Sequence, residues 1–286
     1  MSTILVTGAN GHLGRLVIDT LLDKGATVIA ASRDPSKLAD LTARGVETRH
    51  ADFDDRASLE AAFAGVDRVL IISTDSLGSG QRLQQHLAAV AAAQAAGVGH
   101  IVYTSMPNPE GSAVTFAGDH LGTENAVKAT GIPYTILRNA WYQENLFMSL
   151  PSALASGQWY SANGDGKIGH VARADCARAA AAVLFDPPVN QTLTLTGPQT
   201  FTTAEVADLV SEVTGKPIQV IGVSDEQLAG GLKHAGLPDA LIPMLVSFDT
   251  NTRQGGFDIV TDAVEKLTGR APVTLRGFLE ANKDAF

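Results

Sequence analysis

The sequence is poor in cysteine, with Cys176 as the only one among 286 residues. A single cysteine cannot form a disulfide within the chain, and it cannot build a cluster of thiolates that binds a metal ion. Its place in the alanine-rich run after Asp175 predicts a small buried side chain and not a nucleophile. We therefore expect no metal site.

Charge is scarce and mostly negative. Charged residues make up 18% of the chain, whereas about 25% is usual in globular domains. Lys and Arg number 21 against 30 Asp and Glu, which gives a formal net charge of −9. Basic residues form no cluster, and an acidic surface repels the phosphate backbone. We expect no nucleic-acid partner.

Long hydrophobic runs are also missing. No apolar run approaches the length of about 18 residues that crosses a bilayer. The first residues, MSTILVTGAN, carry no basic stretch and reach a glycine turn after a short strand, which is unlike a signal peptide. The sequence predicts a cytoplasmic protein with no membrane partner.

The apolar content is high enough for a large core, because 45% of the residues are hydrophobic. Short β-branched runs alternate with helical patterns, and Val69-Leu70-Ile71-Ile72 is apolar at consecutive positions, as in a parallel sheet covered on both faces. This alternation predicts an α/β fold, a Rossmann-type doubly wound parallel sheet. The predicted strands are Thr3–Thr7, Thr27–Ala31, Val46–His50, Arg68–Ser73, His100–Thr104, Pro133–Leu137 and Thr192–Thr196.

Two helical patterns follow strands of this sheet. The first places Leu13, Leu16, Val17 and Leu21 on one buried stripe and ends at Gly25 in a left-handed conformation. The second, over residues 84–96, consists mainly of small apolar residues and ends at the next glycine. Both patterns predict helices that pack on the sheet.

The rhythm changes after residue 197. Thr202-Thr203-Ala204-Glu205 predicts a helix start with a capping threonine and an early acid, and helical patterns cover residues 205–214, 225–235 and 238–248. We predict a smaller, mostly helical C-terminal subdomain. Residues 1–150, completed by about 166–198, would form the sheet domain, and residues 151–286 mainly the subdomain that binds substrate.

The most informative motif is the glycine turn Thr7-Gly8-Ala9-Asn10-Gly11-His12-Leu13-Gly14 between the first strand and the first helix. Gly8 permits the tight turn, Gly11 lets the backbone approach a pyrophosphate, and Gly14 lets the helix pack closely on the strand. The helix N-terminus adds N–H groups and a positive dipole end. A glycine turn without a ligand is the alternative, but its place inside a βαβ unit favours a dinucleotide.

The end of the second strand indicates which dinucleotide. An acid there would bind the ribose 2′-hydroxyl of NAD, whereas Arg33 suits the 2′-phosphate of NADP. Ser32 and Lys37 could add donors, and Asp34 would start the next helix; a solvated surface arginine is the alternative. Asp52 would contact the adenine amino group or be an ordinary loop acid. We expect NADP(H) as the cofactor.

Several segments together carry a family resemblance. They are the glycine turn, Arg33, Tyr103-Thr104-Ser105, Leu137-Arg138-Asn139-Ala140-Trp141-Tyr142, Gly164-Asp165-Gly166-Lys167, Arg173-Ala174-Asp175 and Leu267-Thr268-Gly269-Arg270. The chain resembles the NmrA-like branch of the atypical short-chain dehydrogenases/reductases over essentially its whole length. Within that branch it is most similar to the bacterial type 2 NADPH:quinone oxidoreductases and the triphenylmethane reductases.

The resemblance implies a set of cofactor-binding residues: Gly8, Asn10, Gly11, His12, Leu13, Gly14, Arg33, Asp52, Ser73 and Thr104. It also places Asn139, Trp141 and Tyr142 near the nicotinamide and the substrate, where aromatic faces suit a flat acceptor. Core aromatics are the alternative for this segment. Phe147, Phe248 and Phe257 could line the same cleft but are more typical of a core, and Asp175 reads mainly as a helix N-cap.

The chain departs from ordinary members of the superfamily, which protonate a carbonyl oxygen with a Tyr-x-x-x-Lys pair. His120 and Glu124 stand at the matching positions, with Ser105 near the expected serine and Tyr103 as a further candidate. We expect Tyr103, His120 and Asn139 to be catalytic, with the Glu124 carboxylate one helical turn away holding the His120 imidazole protonated. An exposed helical ion pair is the alternative.

These observations favour an NADPH-dependent reductase that transfers hydride to a quinone or a similarly flat, electron-poor acceptor, because a hydroquinone anion needs less proton donation than an alkoxide. The alternative is a non-catalytic NADP(H)-sensing regulator of the NmrA-like type. An epimerase or ketoreductase is disfavoured by the missing Tyr-x-x-x-Lys pair. The sequence leaves the oligomeric state open, with a homodimer as one possible assembly.

Overall fold

The computed structural model describes residues 2–76 and 80–286. In chain order the strands are β1 (Thr3–Val6), β2 (Thr27–Ser32), β3 (Glu47–His50), β4 (Arg68–Ile71), β5 (His100–Ser105), β6 (Tyr134–Asn139), β7 (Gln158–Ser161), β8 (Lys167–Ile168), β9 (Gln191–Leu195), β10 (Phe201–Thr202) and β11 (Gln219–Gly222).

Helices connect these strands, and short 3₁₀ turns extend some of them. The α-helices are α1 (His12–Asp23), α2 (Ala39–Ala43), α3 (Arg56–Phe63), α4 (Gln81–Ala95), α5 (Ala117–Ala129), α6 (Leu150–Ser156), α7 (Arg173–Phe185), α8 (Thr203–Thr214), α9 (Asp225–His234), α10 (Ile242–Arg253), α11 (Ala263–Thr268) and α12 (Leu275–Asn282). The 3₁₀ helices are Pro35–Leu38, Gln143–Met148 and Lys283–Ala285.

The central sheet has seven strands in the order β3-β2-β1-β4-β5-β6-β9. The pairs from β3 through β6 are all parallel. All six residues of β5 are buried, as are Val69, Leu70 and Ile71 of β4. Burial at consecutive positions means that both faces of the sheet are covered. The predicted doubly wound α/β fold is confirmed, with each predicted strand ending within two residues of the observed one.

The chain divides into two compact units. Unit 1 comprises residues 1–106, 119–138 and 173–194, and unit 2 comprises residues 107–118, 139–172 and 195–286. In unit 1, α1 packs on α7 and α3 packs on α4. The functional division of the chain at residues 1–150, 166–198 and 151–286 stays a prediction.

Unit 2 is built from short elements around its own core. Strands β7 and β11 pair in parallel and β8 pairs with β10 in an antiparallel arrangement. Helix α8 begins at the predicted cap, where the Thr202 hydroxyl accepts from the Glu205 N–H and the Glu205 carboxylate accepts from the Thr202 N–H. Helices α8 and α12 contribute Val206, Val210 and Phe278 to the core of this unit.

Three local predictions are wrong. Leu16 is 36% exposed, because the buried stripe of α1 runs through Leu13, Val17 and Leu21, and Leu16 lies behind its edge. The helix predicted over residues 238–248 is α10, which starts later because Pro243 is tolerated only in a first turn. Asp175 is not an N-cap: it lies buried in the first turn of α7 and pairs with Arg178.

Two predictions on single features are confirmed. Gly25 ends α1 in the left-handed conformation, with φ of +75°, and Cys176 is buried. No helix in the described part of the chain is both long enough and apolar enough to cross a membrane.

Candidate active site

The glycine turn joins β1 to α1 in unit 1. Gly8 has φ of +61°, and its carbonyl accepts a hydrogen bond from the Gly11 N–H at 2.9 Å. A Cβ on Gly14 would lie 2.3 Å from the Gly8 carbonyl oxygen, so only glycine lets α1 start this close to the turn. The tight turn and the close packing expected of Gly8 and Gly14 are therefore present.

Thr7 joins the turn to the neighbouring strand. Its hydroxyl donates to the Leu70 carbonyl at 3.1 Å and accepts from the Ile72 N–H at 2.9 Å. The carboxyl ends of β1 and β4 are thus held together at the sheet edge where ligands of such folds bind.

A cavity of about 390 Å³ opens at this edge, entirely within unit 1. The predicted cofactor residues that line it are Gly8, Asn10, Gly11, Arg33, Asp52 and Ser73. Four others, His12, Leu13, Gly14 and Thr104, do not line it. Thr104 holds a lining residue in place, because its hydroxyl accepts a hydrogen bond from the Ser73 N–H at 2.9 Å.

The cationic end of the cavity is formed by the segment after β2. Arg33 is exposed, and no hydrogen bond or ion pair engages it within residues 2–76 and 80–286. Asp34 caps the following 3₁₀ helix and accepts from the Ser36 hydroxyl, which holds the pKa of this carboxyl below its usual value. The Asp34 carboxylate thus contacts Ser36 and Lys37 and does not pair with Arg33, so the Arg33 guanidinium can bind an anion.

Sequence reasoning missed the opposite side of the cavity, which residues 74–76 and Gln85 form. The buried Gln85 amide donates to Asp54 at 2.8 Å and accepts from the Ser76 hydroxyl at 2.8 Å. It therefore bridges the segments that follow β3 and β4. Polar residues directly after the apolar β4 were the available signal, because parallel strands expose their carboxyl ends at one edge.

A buried polar cluster lies in the same unit around Tyr103, on β5. Its hydroxyl is 2.8 Å from His120 Nδ1 and 3.3 Å from His86 Nδ1. His86 Nδ1 also lies 2.9 Å from the Thr123 hydroxyl. The fold thus brings two predicted catalytic residues, Tyr103 and His120, into hydrogen-bond contact and adds His86, which the sequence did not single out.

The expectation that Glu124 keeps His120 protonated is wrong. Burial, and then the charges of Arg82 and His86, lower the pKa of His120 to about 3, so its imidazole is neutral at pH 7. Burial likewise lowers the pKa of His86 to about 3 and raises that of Tyr103.

Glu124 has different partners. Its carboxylate accepts from Arg138 Nε at 2.8 Å and Nη2 at 2.7 Å, and from the Ser105 hydroxyl at 2.7 Å. His120 is 4% exposed and Glu124 is fully buried, so the alternative of an exposed helical ion pair is also wrong. Glu124 neutralises Arg138 inside the unit, because a buried charge needs a partner.

Asn139, Trp141 and Tyr142 belong to unit 2. Asn139 Nδ2 donates to the Tyr142 hydroxyl at 2.9 Å, and its buried Oδ1 accepts no hydrogen bond within the described residues. The Trp141 ring lies 4.3 Å from that of Phe248 and 6.3 Å from that of Phe257, centroid to centroid.

Phe147 is separate from this aromatic group. It packs on Phe278 and Phe286 in the core of unit 2, at centroid distances of 5.8 and 4.9 Å. Phe248 and Phe257 therefore pack with Trp141, whereas Phe147 is a core residue of unit 2, as the alternative interpretation predicted.

The doubly wound sheet and the glycine turn beside the cavity define an α/β protein with the Rossmann type of nucleotide-binding fold. The NmrA-like family model matches residues 1–279. The chain belongs to the NmrA-like family, and the predicted resemblance is confirmed.

Known proteins support this membership along the whole chain. Quinone oxidoreductase 2 of Escherichia coli is 38% identical over 275 residues, which is 95% of this chain and 96% of the relative. The crystal structure of the NADPH-dependent quinone oxidoreductase from E. coli with NADPH matches with a TM-score of 0.93 at 37% identity, covering 97% of this chain and 99% of that one.

Two further structures mark the range of the similarity. The Citrobacter sp. triphenylmethane reductase complexed with NADP(H) has a TM-score of 0.92 at 37% identity, covering 99% of this chain and 100% of that one. NmrA, a negative transcriptional regulator, has a TM-score of 0.80 at 18% identity and covers 98% of this chain and 94% of its own, so it shares the fold alone.

Proposed function

We propose that the protein is an NADPH-dependent oxidoreductase that reduces quinones or similarly flat, electron-poor acceptors. The observation that carries this proposal is the cavity where the Gly8–Gly11 turn meets Arg33, in a chain that is 38% identical to a quinone oxidoreductase. Two relatives of known structure, the E. coli quinone oxidoreductase and the Citrobacter sp. triphenylmethane reductase, were solved with NADPH and NADP(H).

The residues of the cavity fit this cofactor. The turn has no side chain at Gly8 or Gly11 to block a pyrophosphate, and the N-terminus of α1 supplies N–H groups and a positive dipole end. Arg33, with Lys37 beside it, would hold the 2′-phosphate. Asp52 would accept from the adenine amino group, while Asn10 and Ser73 would bind the linking part of the nucleotide.

NADPH supplies a hydride when it is bound, so the protein has to orient the acceptor and stabilise the negative charge that develops on its oxygen. We assign this stabilisation to His120, positioned by Tyr103. A neutral imidazole donates a hydrogen bond, and the proton of the hydroquinone would then come from water.

Unit 2 by itself contains the aromatic residues that the sequence predicts for the acceptor. Trp141 and Tyr142 would offer flat apolar faces, and Asn139 Oδ1, which has no hydrogen-bond partner among residues 2–76 and 80–286, would accept a hydrogen bond. The NADP(H)-sensing regulator is disfavoured, because likeness to the transcriptional regulator reaches 18% identity, against 38% for the quinone oxidoreductase. A cytoplasmic location, a homodimer and the absence of nucleic-acid partners remain predictions.

Acceptor-dependent oxidation of NADPH tests the function. With menadione or benzoquinone, the absorbance of NADPH at 340 nm should fall at a rate that depends on the quinone, and the H120A variant should have a lower kcat/KM. Tight NADPH binding without quinone-dependent oxidation would favour the regulator. An unchanged kcat/KM in H120A would remove His120 from the reaction.

A further inference from the structure

His86, on α4, uses both ring nitrogens inside unit 1. Its Nε2 lies 2.9 Å from the backbone nitrogen of Thr74, a residue that lines the cofactor cavity. Its Nδ1 faces the hydroxyls of Thr123 at 2.9 Å and Tyr103 at 3.3 Å. The ring is fully buried. Through these contacts it connects the cavity to the buried polar cluster.

Two neighbours determine which nitrogen of His86 carries the proton. The Thr74 N–H can only donate, so Nε2 must accept and is unprotonated. The Thr123 hydroxyl donates to the Asp119 carbonyl at 2.7 Å, which leaves its oxygen to accept from Nδ1. Both contacts require a neutral ring with its proton on Nδ1.

This tautomer orders the next hydrogen bond. The Tyr103 hydroxyl meets the Nδ1–H of His86, which is a donor, and we therefore assign the proton of Tyr103 to its contact with His120 Nδ1 at 2.8 Å. A neutral His120 that accepts at Nδ1 carries its proton on Nε2.

We propose that His86 is a positioning residue that ties Thr74 of the cofactor cavity to Tyr103 and so places the proton of His120 on Nε2. The hydrogen-bond directions follow from the structure, whereas their use in stabilising the reduced acceptor rests on the proposed function. The side chain that serves the reaction is His120, and His86 acts through Tyr103.

Nitrogen-15 NMR of the histidine rings in the full-length protein at pH 7 tests the tautomers without any turnover. We expect a pyrrole-like Nδ1 and a pyridine-like Nε2 for His86, and the reverse for His120, with H86Q and H120Q used for assignment. A His86 ring protonated on Nε2, or a His120 ring protonated on Nδ1, would overturn the proposal.

Two substitutions separate the two nitrogens of His86. In H86Q the longer amide can still accept from the Thr74 N–H, so NADPH affinity should change less than about threefold while the single tautomer of His120 is lost. In H86N the shorter amide can still donate toward Tyr103, so the His120 tautomer should persist while the Kd for NADPH rises about tenfold.

H100Q is the matched control, because His100 is another buried histidine of unit 1 and its Nε2 lies 3.1 Å from the Thr135 hydroxyl. It should change neither the His120 tautomer nor the Kd for NADPH. If both His86 variants behave like H100Q, His86 has no positioning role. Correct tautomers without quinone reduction would contradict the proposed function and leave the hydrogen-bond order standing.

Discussion

Arg33 is the residue that we propose reads the 2′-phosphate of NADPH. Its exposed guanidinium stands at the cavity, and no carboxylate pairs with it within residues 2–76 and 80–286. A charge-assisted bidentate contact with a phosphate is stronger than a neutral hydrogen bond. We therefore expect R33A to raise the Kd for NADPH by about 10- to 100-fold and to leave the Kd for NADH unchanged, as measured by calorimetry.

R44A provides the control for loss of a positive charge. Arg44 is also exposed on unit 1, but it pairs with Asp19 and lies outside the cavity. Its substitution should leave both coenzymes unaffected. An equal loss of NADPH and NADH affinity in R33A would show that Arg33 does not read the 2′-phosphate.

Glu124 is expected to act on stability. E124Q removes the charge of the fully buried Glu124 carboxylate, and breaking its ion pair with Arg138 costs about 3–5 kcal/mol of unfolding free energy. Urea denaturation followed by circular dichroism measures this cost. E212Q removes the exposed partner of Arg276 and should leave the unfolding midpoint nearly unchanged. Equal midpoints for the two variants would contradict the structural role of Glu124.

At the scale of elements, the start of α1 depends on Gly14. Its Cβ would lie 2.3 Å from the Gly8 carbonyl oxygen and 3.0 Å from the Ala9 Cα, and both are backbone atoms that cannot rotate away. G14A should therefore lower the unfolding free energy by about 1–3 kcal/mol and weaken NADPH binding. Thermal unfolding and coenzyme titration measure the two effects.

The matched substitution is G230A in α9, where a Cβ would meet nothing within 4 Å. Alanine is the better helix former, so this variant should gain about 0.5–1 kcal/mol of stability. A G14A protein as stable as G230A would mean that α1 can move away from the turn at no cost.

Predictions of elements succeeded where local pattern decides the structure. Strands β1, β2 and β4 are mainly apolar runs soon followed by glycine or polar residues, and the capping box of Thr202 and Glu205 is a local hydrogen-bond motif. They failed at the start of α10 and at Leu16, because a helical period of apolar residues does not say which turn is the first or which face meets a neighbour.

At the scale of the whole molecule, four buried histidines with lowered pKa values lie within residues 2–76 and 80–286. Burial lowers the pKa of His86 and His120 to about 3 and that of His100 and His170 to about 4, from 6.5. Between these values and 6.5 the unfolded chain binds more protons than the folded one, so stability is full above pH 6.5 and falls as the pH drops. Each histidine contributes a slope of about 1.4 kcal/mol per pH unit.

Urea titrations at pH 7, 6, 5 and 4.5 would measure this dependence. H100Q removes one of the four groups. The slope of its unfolding free energy against pH should therefore be smaller than that of the wild type by the contribution of about one proton. A wild-type stability that stays flat between pH 6.5 and 5 would show that these rings take up protons in the folded state.

The amino-acid sequence by itself determined the sheet, the glycine turn, the family and the choice of NADP(H). These features are encoded within short segments: periodicity, glycine spacing and the residue that follows β2 each act over a few neighbours. None of these features depends on a contact between residues that are far apart in the sequence.

Tertiary structure alone decided the chemical state of the buried cluster. His86, Tyr103 and His120 are spaced 17 residues apart in sequence and meet only because α4, β5 and α5 pack together. The protonation of a histidine depends on burial and on every charge nearby, so Glu124 one turn away did not determine the state of His120. Gln85 contacts the segments after β3 and β4 for the same reason: its partners are neighbours in space and not along the chain.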